Sequence, residues 1–329
     1  MKVLVLGGAG YIGAHTAKAL AARGDQPIVV DNLSSGRRDF VRWGPLVQAD
    51  IRDGAALDAA FAAYKPDAVM HFAASIEVSI GEREPLAFWD NNLAGSISVL
   101  GAMQRSGCRR IVFSSTCAVY GEPERLPLCE RHVRKPINTY GRTKLAVENV
   151  LEDAARAGDI EHAALRYFNA SGASPDGDIG EEHEPETHLI PNALKAAAGL
   201  GGPMQVFGSD YATRDGSCVR DFIHVDDLAA GHLRALDRLA GRGGSFACNL
   251  GTGQGVTVME VLDAVETVVG RPVPRVMSGR RPGDAPELYA DTRFARDELG
   301  FAPARSNIEQ IVEDAWRYHG PRWRSAAAA

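Results

Sequence analysis

The sequence predicts an α/β chain: a doubly wound parallel sheet carrying a smaller C-terminal α/β lobe. Three observations carry this reading. Short β-branched runs alternate with longer helical patterns through the first half, which builds a parallel sheet covered on both faces. A glycine-rich turn follows the first strand pattern directly and opens a helix. Beyond residue 169 the texture changes, with frequent glycine and proline and short strand-like pieces.

Lys2–Leu6 reads as the first strand and Tyr11–Arg23 as the first helix. Ile28–Val30 is the second strand, ending on Asp31, and Leu46–Gln48 a short third one before a helix near Asp53–Ala63. Ala68–Phe72 is the fourth strand, followed by one long helix, Leu86–Arg105. Ile111–Ser114 is the fifth strand, Tyr140–Ala157 a helix and His162–Tyr167 the sixth strand. The second half offers strands at Gln205–Phe207 and Phe246–Leu250. Its helices are expected at Ala193–Ala198, Asp227–Leu239, Val258–Val269 and Ile308–Tyr318, and Ala326–Ala329 reads as a frayed tail. The division expected is residues 1–169 for a nucleotide-binding domain and 170–329 for a substrate lobe, with segments free to cross.

The 329 residues suit one large domain or two ordinary ones, and 45% hydrophobic with 24% charged residues is a globular balance. A net charge of -6 gives no general attraction for nucleic acid or an anionic membrane. An anionic ligand would need local arginines. Cys108, Cys117, Cys129, Cys218 and Cys248 are odd in number, widely spaced and without a Cys-x-x-Cys pair. That argues for a reducing compartment, and the cytoplasm is the expected location. No run of about 18 apolar residues is present.

Gly7, Gly10 and Gly13 allow a tight turn, close approach of a pyrophosphate to bare backbone and a helix N-terminus aimed at it. This is a Rossmann-type signature. Asp31 ends the second strand, where a carboxylate accepts hydrogen bonds from an adenosine ribose and repels a 2′-phosphate, favouring NAD over NADP. Arg37 and Arg38 follow a turn at Ser34-Ser35-Gly36. Of the eight tyrosines only Tyr140 has a lysine four residues on, Lys144, on the same helical face. A phenol with a pKa near 10 is a poor base. An ammonium about 4 Å away at an effective dielectric of about 20 contributes roughly 4 kcal/mol to the phenolate, about three pKa units downward, with desolvation opposing part of it and a positively charged nicotinamide helping further. Thr116, at the end of the fifth strand, can place a hydroxyl beside the reacting oxygen. Taken alone, Ser114-Ser115-Thr116 would be a polar strand end, and Tyr140 with Lys144 a half-buried tyrosine beside a solvated lysine.

With these residues in hand the chain resembles the UDP-glucose (UDP-galactose) 4-epimerases of the extended short-chain dehydrogenase/reductase family, from Met1 to about Tyr318. The resemblance lies in Gly7–Gly13 with Asp31-Asn32-Leu33, His71-Phe72-Ala73, Asp90-Asn91-Asn92, Ser114–Gly121, Tyr140-Gly141-Arg142-Thr143-Lys144, Arg166-Tyr167-Phe168-Asn169, Val219–Val225, Asn249-Leu250-Gly251 and Arg280-Arg281-Pro282-Gly283-Asp284. It implies Tyr140 as base, Lys144 as the group that lowers its pKa, and Thr116 as its partner. It implies an NAD site of Gly7, Gly10, Tyr11, Ile12, Gly13, Asp31, Asn32, Ser35, Gly36, Asp50, Ile51, Phe72, Ala73, Ala74, Asn91 and Phe168, besides Tyr140 and Lys144. It implies a UDP-sugar site of Thr116, Asn169, His188, Leu189, Gln205, Phe207, Arg220, Arg281, Asp284 and Leu288. The implied reaction inverts carbon 4 through a 4-keto sugar, with NAD held and regenerated.

The resemblance also implies a homodimer through the helices near 86–105 and 140–157, and no metal. Ile76, His188 and Leu288 depart from the family pattern. Leu288 is smaller than the tyrosine some members carry, which would leave room for an N-acetylated sugar.

Alternatives are other nucleotide-sugar enzymes of the same kind. A UDP-N-acetylhexosamine or UDP-pentose 4-epimerase is one. A dehydratase or decarboxylase would need an acid or base where this chain has Cys117 and Ala118. An NADPH-dependent keto-sugar reductase is opposed by Asp31. A non-catalytic dinucleotide-sensing protein has no use for Tyr140 and Lys144 together. His183 and His188, five apart in a Pro/Glu loop, have a poor helical ligand spacing and read as polar loop.

Overall fold

The computed structural model describes residues 1–281 and 284–327. Pro282 and Gly283 of the expected Arg280–Asp284 motif, and Ala328 and Ala329 of the expected tail, lie outside the described residues. The strands of the first half are β1 (Lys2–Leu6), β2 (Gln26–Asp31), β3 (Leu46–Gln48), β4 (Ala68–His71), β5 (Arg110–Thr116) and β6 (Glu161–Tyr167). Between them run α1 (Tyr11–Ala22), α2 (Gly54–Tyr64), α3 (Val78–Arg83), α4 (Pro85–Phe88), α5 (Gly95–Ser106) and α6 (Thr139–Arg156). The second half adds strands β7 (Asn169–Ser171), β8 (Met204–Phe207), β9 (Val219–Arg220), β10 (Phe222–His224), β11 (Phe246–Leu250), β12 (Val256–Thr257), β13 (Arg275–Ser278) and β14 (Glu287–Leu288). Its helices are α7 (Leu189–Ala197), α8 (Val225–Gly241), α9 (Val258–Val269), α10 (Arg293–Leu299) and α11 (Ile308–Ala327).

The large sheet is parallel throughout, in the order β11-β6-β5-β4-β1-β2-β3. The order reverses at β1, and ligands of such sheets bind outside the carboxyl ends at that point. Strand period 2 sorts the core onto two faces. Val3, Val5, Met70 and Val112 pack on one face with Leu20 of α1 and Leu228 and Leu236 of α8. Leu4, Leu6, Val69 and Phe113 pack on the other with Leu57 of α2, Met103 of α5 and Leu151 of α6. Residues 225–250 thus return to the first half: α8 covers one face and β11 extends the sheet beside β6. The helix α10 adds Ala295 and Leu299 to the first of these clusters, and α7, α9 and α11 pack with Val206 and Val273 into a third.

The expected helix Leu86–Arg105 is broken. A π-helical turn, Trp89–Ala94, separates α4 from α5, and Asn92 within it binds Ser75 N through Oδ1 at 2.7 Å and Ser75 O through Nδ2 at 3.0 Å. Such turns are frequent at functional sites. The helix α7 begins at Leu189 rather than Ala193, because Pro191 stands in its first turn, where a missing N–H loses no bond. The starts of α2, α6 and α9 are capped by side chains of Asp53, Asn138 and Thr257, the last in a capping box with Glu260.

Candidate functional site

One cleft of about 1110 Å³ runs along the carboxyl ends of the sheet and into the second lobe. At its near end the glycine turn leaves no room for side chains. A Cβ on Gly7, which sits at φ +75°, would lie 2.6 Å from Ala73 N, and one on Gly13 would lie 2.2 Å from Gly7 O. Gly10 caps α1 with backbone alone, so the first amides of that helix face the cleft without a side-chain acceptor. That cradle fits a dinucleotide pyrophosphate.

Asp31 is buried at the end of β2. Its carboxylate accepts from Ala9 N at 3.0 Å and Leu33 N at 2.8 Å, and burial pushes its pKa up. Each oxygen keeps a lone pair for a ribose hydroxyl. Arg37 is engaged by Asp39 and Glu182 and Arg38 by Gln48, and neither lines the cleft. The surroundings of Asp31 therefore offer a 2′-phosphate no free guanidinium from this turn.

At mid-cleft Thr116, Tyr140 and Lys144 converge. The strand β5 delivers Thr116, whose Oγ1 accepts from Ala118 N at 3.1 Å, and α6 delivers the other two. Lys144 is buried and donates to Ser114 O at 2.8 Å; its Nζ lies 4.9 Å from the Phe113 ring centre and 5.8 Å from that of Tyr140. Burial pulls the Lys144 pKa down to about 7, against an upward pull from Glu148. The Tyr140 phenol is enclosed, and burial drives its pKa well above 10, with a hydrogen bond from Thr116 pulling the other way. The desolvation expected to oppose Lys144 in part is thus the larger effect at this phenol. The ammonium donates to the Ser114 carbonyl and lies 5.8 Å from the centre of the phenol ring, and desolvation outweighs its attraction.

At the far end, Arg220, Arg281 and Asp284 line the cleft with Gln205, Phe207 and Leu189. Arg220 Nη1 donates to Val219 O at 2.8 Å and Ala285 O at 2.9 Å, which fixes the fork, and its Nη2 is 3.6 Å from Asp284 Oδ1. The Arg281 guanidinium stacks 4.3 Å over the Phe207 ring. Two positive groups and one carboxylate suit a diphosphate and sugar hydroxyls.

Nearly every site residue expected from the sequence lines this one cleft, including Tyr11, Ile12, Asn32, Ser35, Gly36, Ile51, Phe72, Ala73, Ala74, Asn91, Phe168, Asn169 and His188. Asp50 and Leu288 are not among the lining residues. The Asp50 oxygens accept instead from Arg52, which binds both of them, and from Asn32 Nδ2 at 2.9 Å. Leu288 pairs in register with Arg220 and packs into an apolar cluster with Phe168, Tyr120 and Leu128. Ile76 lines the wall and is 40% exposed, so it brings no charge there. Sequence reasoning missed Ser75, Glu181 and Lys195, which also line the cleft. Ser75 follows the Phe72-Ala73-Ala74 run and was within reach. The loop after Gly180 carries no periodic signal, and it brings His183 and His188 to ring centres 5.0 Å apart despite their unhelical spacing. Cys117, where a dehydratase would need an acid or base, is a thiol that burial pushes up to about 12. Among the described residues no helix is long and apolar enough to cross a membrane.

Comparison with known proteins agrees with this geometry. The NAD dependent epimerase/dehydratase family matches residues 3–251. The UDP-glucose 4-epimerase of Rhizobium leguminosarum bv. trifolii is 52% identical over 317 residues, covering 96% of this chain and 97% of that one. The crystal structure of UDP-glucose 4-epimerase from Brucella ovis in complex with NAD superposes with a TM-score of 0.95 at 48% identity, covering 97% of this chain and 98% of that one. The UDP-Glc/GlcNAc 4-epimerase of Campylobacter jejuni superposes with a TM-score of 0.86 at 38% identity, covering 97% and 99%. This chain belongs to the NAD dependent epimerase/dehydratase family.

Proposed function

We propose that this family member interconverts UDP-glucose and UDP-galactose, with Tyr140 as the base that moves the proton of the sugar 4-hydroxyl. The chain is an NAD-dependent UDP-sugar 4-epimerase. The observation that carries the residue assignment is the order along the cleft. The glycine cradle and Asp31 stand at one end, Arg220, Arg281 and Asp284 at the other, and Tyr140, Lys144 and Thr116 between them. The first lobe, residues 1–169, holds the dinucleotide with help from 225–250, and the rest of 170–329 holds UDP.

Bound NAD supplies a hydride acceptor that returns what it accepts, so no net redox change accumulates. The protein does the rest. Tyr140 takes the 4-hydroxyl proton as carbon 4 becomes a ketone, and gives the same proton back when the ketone is reduced on its other face. Thr116 hydrogen-bonds the phenol and the reacting oxygen. Lys144, held by Ser114 O, sits on the Tyr140 face and supports the phenolate; the positive charge of an oxidised nicotinamide adds to it. Arg220 and Arg281 keep the diphosphate anchored while the 4-keto sugar turns over. Cys117 and Ala118 offer no group for a second proton transfer, which restricts the chemistry to reversible oxidation at one carbon.

We propose a homodimer through α4 to α6, where Leu86 is 81% and Ile97 49% exposed, and a cytoplasmic location, from the unpaired cysteines. The test of the catalytic assignment is direct. Purified protein, without added NAD, is incubated with UDP-glucose and the products read by NMR. Wild type forms UDP-galactose, and Tyr140→Phe retains NAD but loses at least about 100-fold in turnover, the usual contribution of a general base. A Tyr140→Phe variant that keeps its activity overturns the assignment.

A further inference from the structure

Beside the reacting groups stands a cluster that the proton and hydride transfers do not use, although His188 is also expected in the UDP-sugar site. Glu181 and Glu186 face each other across the loop that enters α7, and each side chain is only 4% exposed. Among the described residues no lysine or arginine lies within ion-pair distance of either carboxylate. Two imidazoles meet them instead. His183 Nδ1 is 3.5 Å from Glu181 Oε1 and 3.8 Å from Glu186 Oε2; His188 Nδ1 is 2.9 Å from Glu181 Oε1 and 3.2 Å from Glu186 Oε1. One donor atom from each of the four residues lies within 4.8 Å of all the others. The buried His183 Nδ1 makes no hydrogen bond.

Hydrogen bonding alone does not account for the arrangement, since both carboxylate contacts of His183 are too long for it. A tetrahedral ion with bonds of about 2.0–2.2 Å does, because the edges of that tetrahedron are roughly 3.3–3.6 Å, and the four imidazole–carboxylate separations straddle that range. We propose that Glu181, His183, Glu186 and His188 form a four-coordinate site for a divalent cation of the zinc class. Two carboxylates and two neutral imidazoles leave the loaded site uncharged, which suits its burial. Magnesium and calcium prefer six or more oxygen ligands and fit poorly. The carboxylate of Glu186 is already oriented by Thr187 N and His188 N, each donating at 2.8 Å to Oε1, the outer support that metal ligands usually have. Glu181, His183 and His188 also line the cleft next to Leu189. The ion therefore ties the loop 181–188 to the start of α7 and fixes one wall of the cleft. This inference does not rest on the sugar assignment.

The test uses the NAD-loaded protein treated with a chelator and dialysed, then titrated with Zn²⁺ by calorimetry and with Co²⁺ by visible absorption. One Zn²⁺ binds per chain, and Co²⁺ gives the absorption of a four-coordinate nitrogen/oxygen site without thiolate charge transfer. His183→Ala and Glu186→Gln lose the stoichiometric ion while retaining NAD. Cys129→Ser keeps it, which excludes the other close pair, Cys129 Sγ and His132 Nδ1 at 3.3 Å. The wild-type Co²⁺ spectrum decides the ligand set even if a variant fails to fold. Absence of stoichiometric Zn²⁺ binding, a thiolate signature, survival of binding in a folded His183→Ala variant, or a preference for Mg²⁺ or Ca²⁺ each overturns the proposal.

Discussion

Replacing Glu148 by glutamine should unsettle both the fold behind the site and the charge state of Lys144. Glu148 lies one helical turn after Lys144 on α6 and is 1% exposed. Arg166 of β6 grips it at both oxygens, with Nε at 2.9 Å and Nη2 at 2.6 Å; Arg134 adds a contact at 3.1 Å and the Ser115 hydroxyl donates to Oε1. Burial alone would raise its pKa, but Arg166 and its neighbours hold it below the usual carboxylate range. Glutamine keeps the shape and removes the charge, which leaves the buried Arg166 guanidinium without its counter-ion. Removing one partner of such a pair costs about 3–5 kcal/mol. A chain of 329 residues unfolds with an entropy of about 0.7 kcal/mol/K, so the melting temperature should fall by about 4–7 °C.

The second effect is chemical. The charge on Glu148 is what opposes burial at Lys144, so without it the lysine gives up its proton at a lower pH than about 7. If the charged lysine supports the phenolate, the pH profile of kcat shifts while KM for the UDP-sugar changes little. Thermal melts and pH–rate profiles of Glu148→Gln check both effects. A further Arg166→Met change should restore part of the lost stability, because it removes the stranded charge. A melting temperature within about 1 °C of wild type, on the scale of that entropy, would refute the energetic argument, and an unmoved profile would refute the coupling to Lys144.

Three more outcomes are expected. Burial holds His15 and His71 down to about 3 and His232 and His319 down to about 4. From pH 6.5 to about 4 the unfolded chain therefore binds protons that the folded chain refuses, and stability is lost as pH falls through that window, by up to about 1.4 kcal/mol per histidine per pH unit; an unchanged melting temperature between pH 6.5 and 5 would contradict this. Asp31→Asn should weaken NAD by about 1.5–3 kcal/mol, the value of a hydrogen bond to a charged group, and equal affinities by calorimetry would remove Asp31 from the ribose site. Gly13→Ala places a methyl 2.2 Å from Gly7 O, so the variant should lose bound NAD or fail to fold, and a stable, NAD-replete variant would show that the turn is looser than the structure has it.

What the sequence disclosed and what it hid divide along the range of the interactions involved. The glycine cradle, Asp31 at a strand end, and the shared face of Tyr140 and Lys144 depend on neighbours within a few positions, and all of them meet in the cleft. The π turn at Trp89–Ala94 was hidden because the apolar period of a helix is nearly the same whether one turn is widened or not; what holds that turn is Asn92 reaching Ser75, seventeen positions away. The return of β11 to the sheet beside β6, and the meeting of His183 and His188 with two glutamates in a loop, likewise leave no period to read. Asp50 shows the same limit at a single side chain: its strand-end address suits a ligand, and the spacing does not disclose that Arg52, two residues on, engages both its oxygens. The pair proposed as catalytic makes the sharpest case. Spacing puts Tyr140 and Lys144 on one face, but desolvation raises the phenol and lowers the lysine, so the phenol keeps its proton and the lysine holds its charge mainly below about pH 7. Poising them for proton transfer needs a further positive charge near the phenol, which an oxidised nicotinamide would supply when bound and lose on reduction. On that argument the base is strong when the sugar is to be oxidised and the acid is strong when the ketone is to be reduced, and the protein's own part is to keep the pair dry enough for that switch to matter.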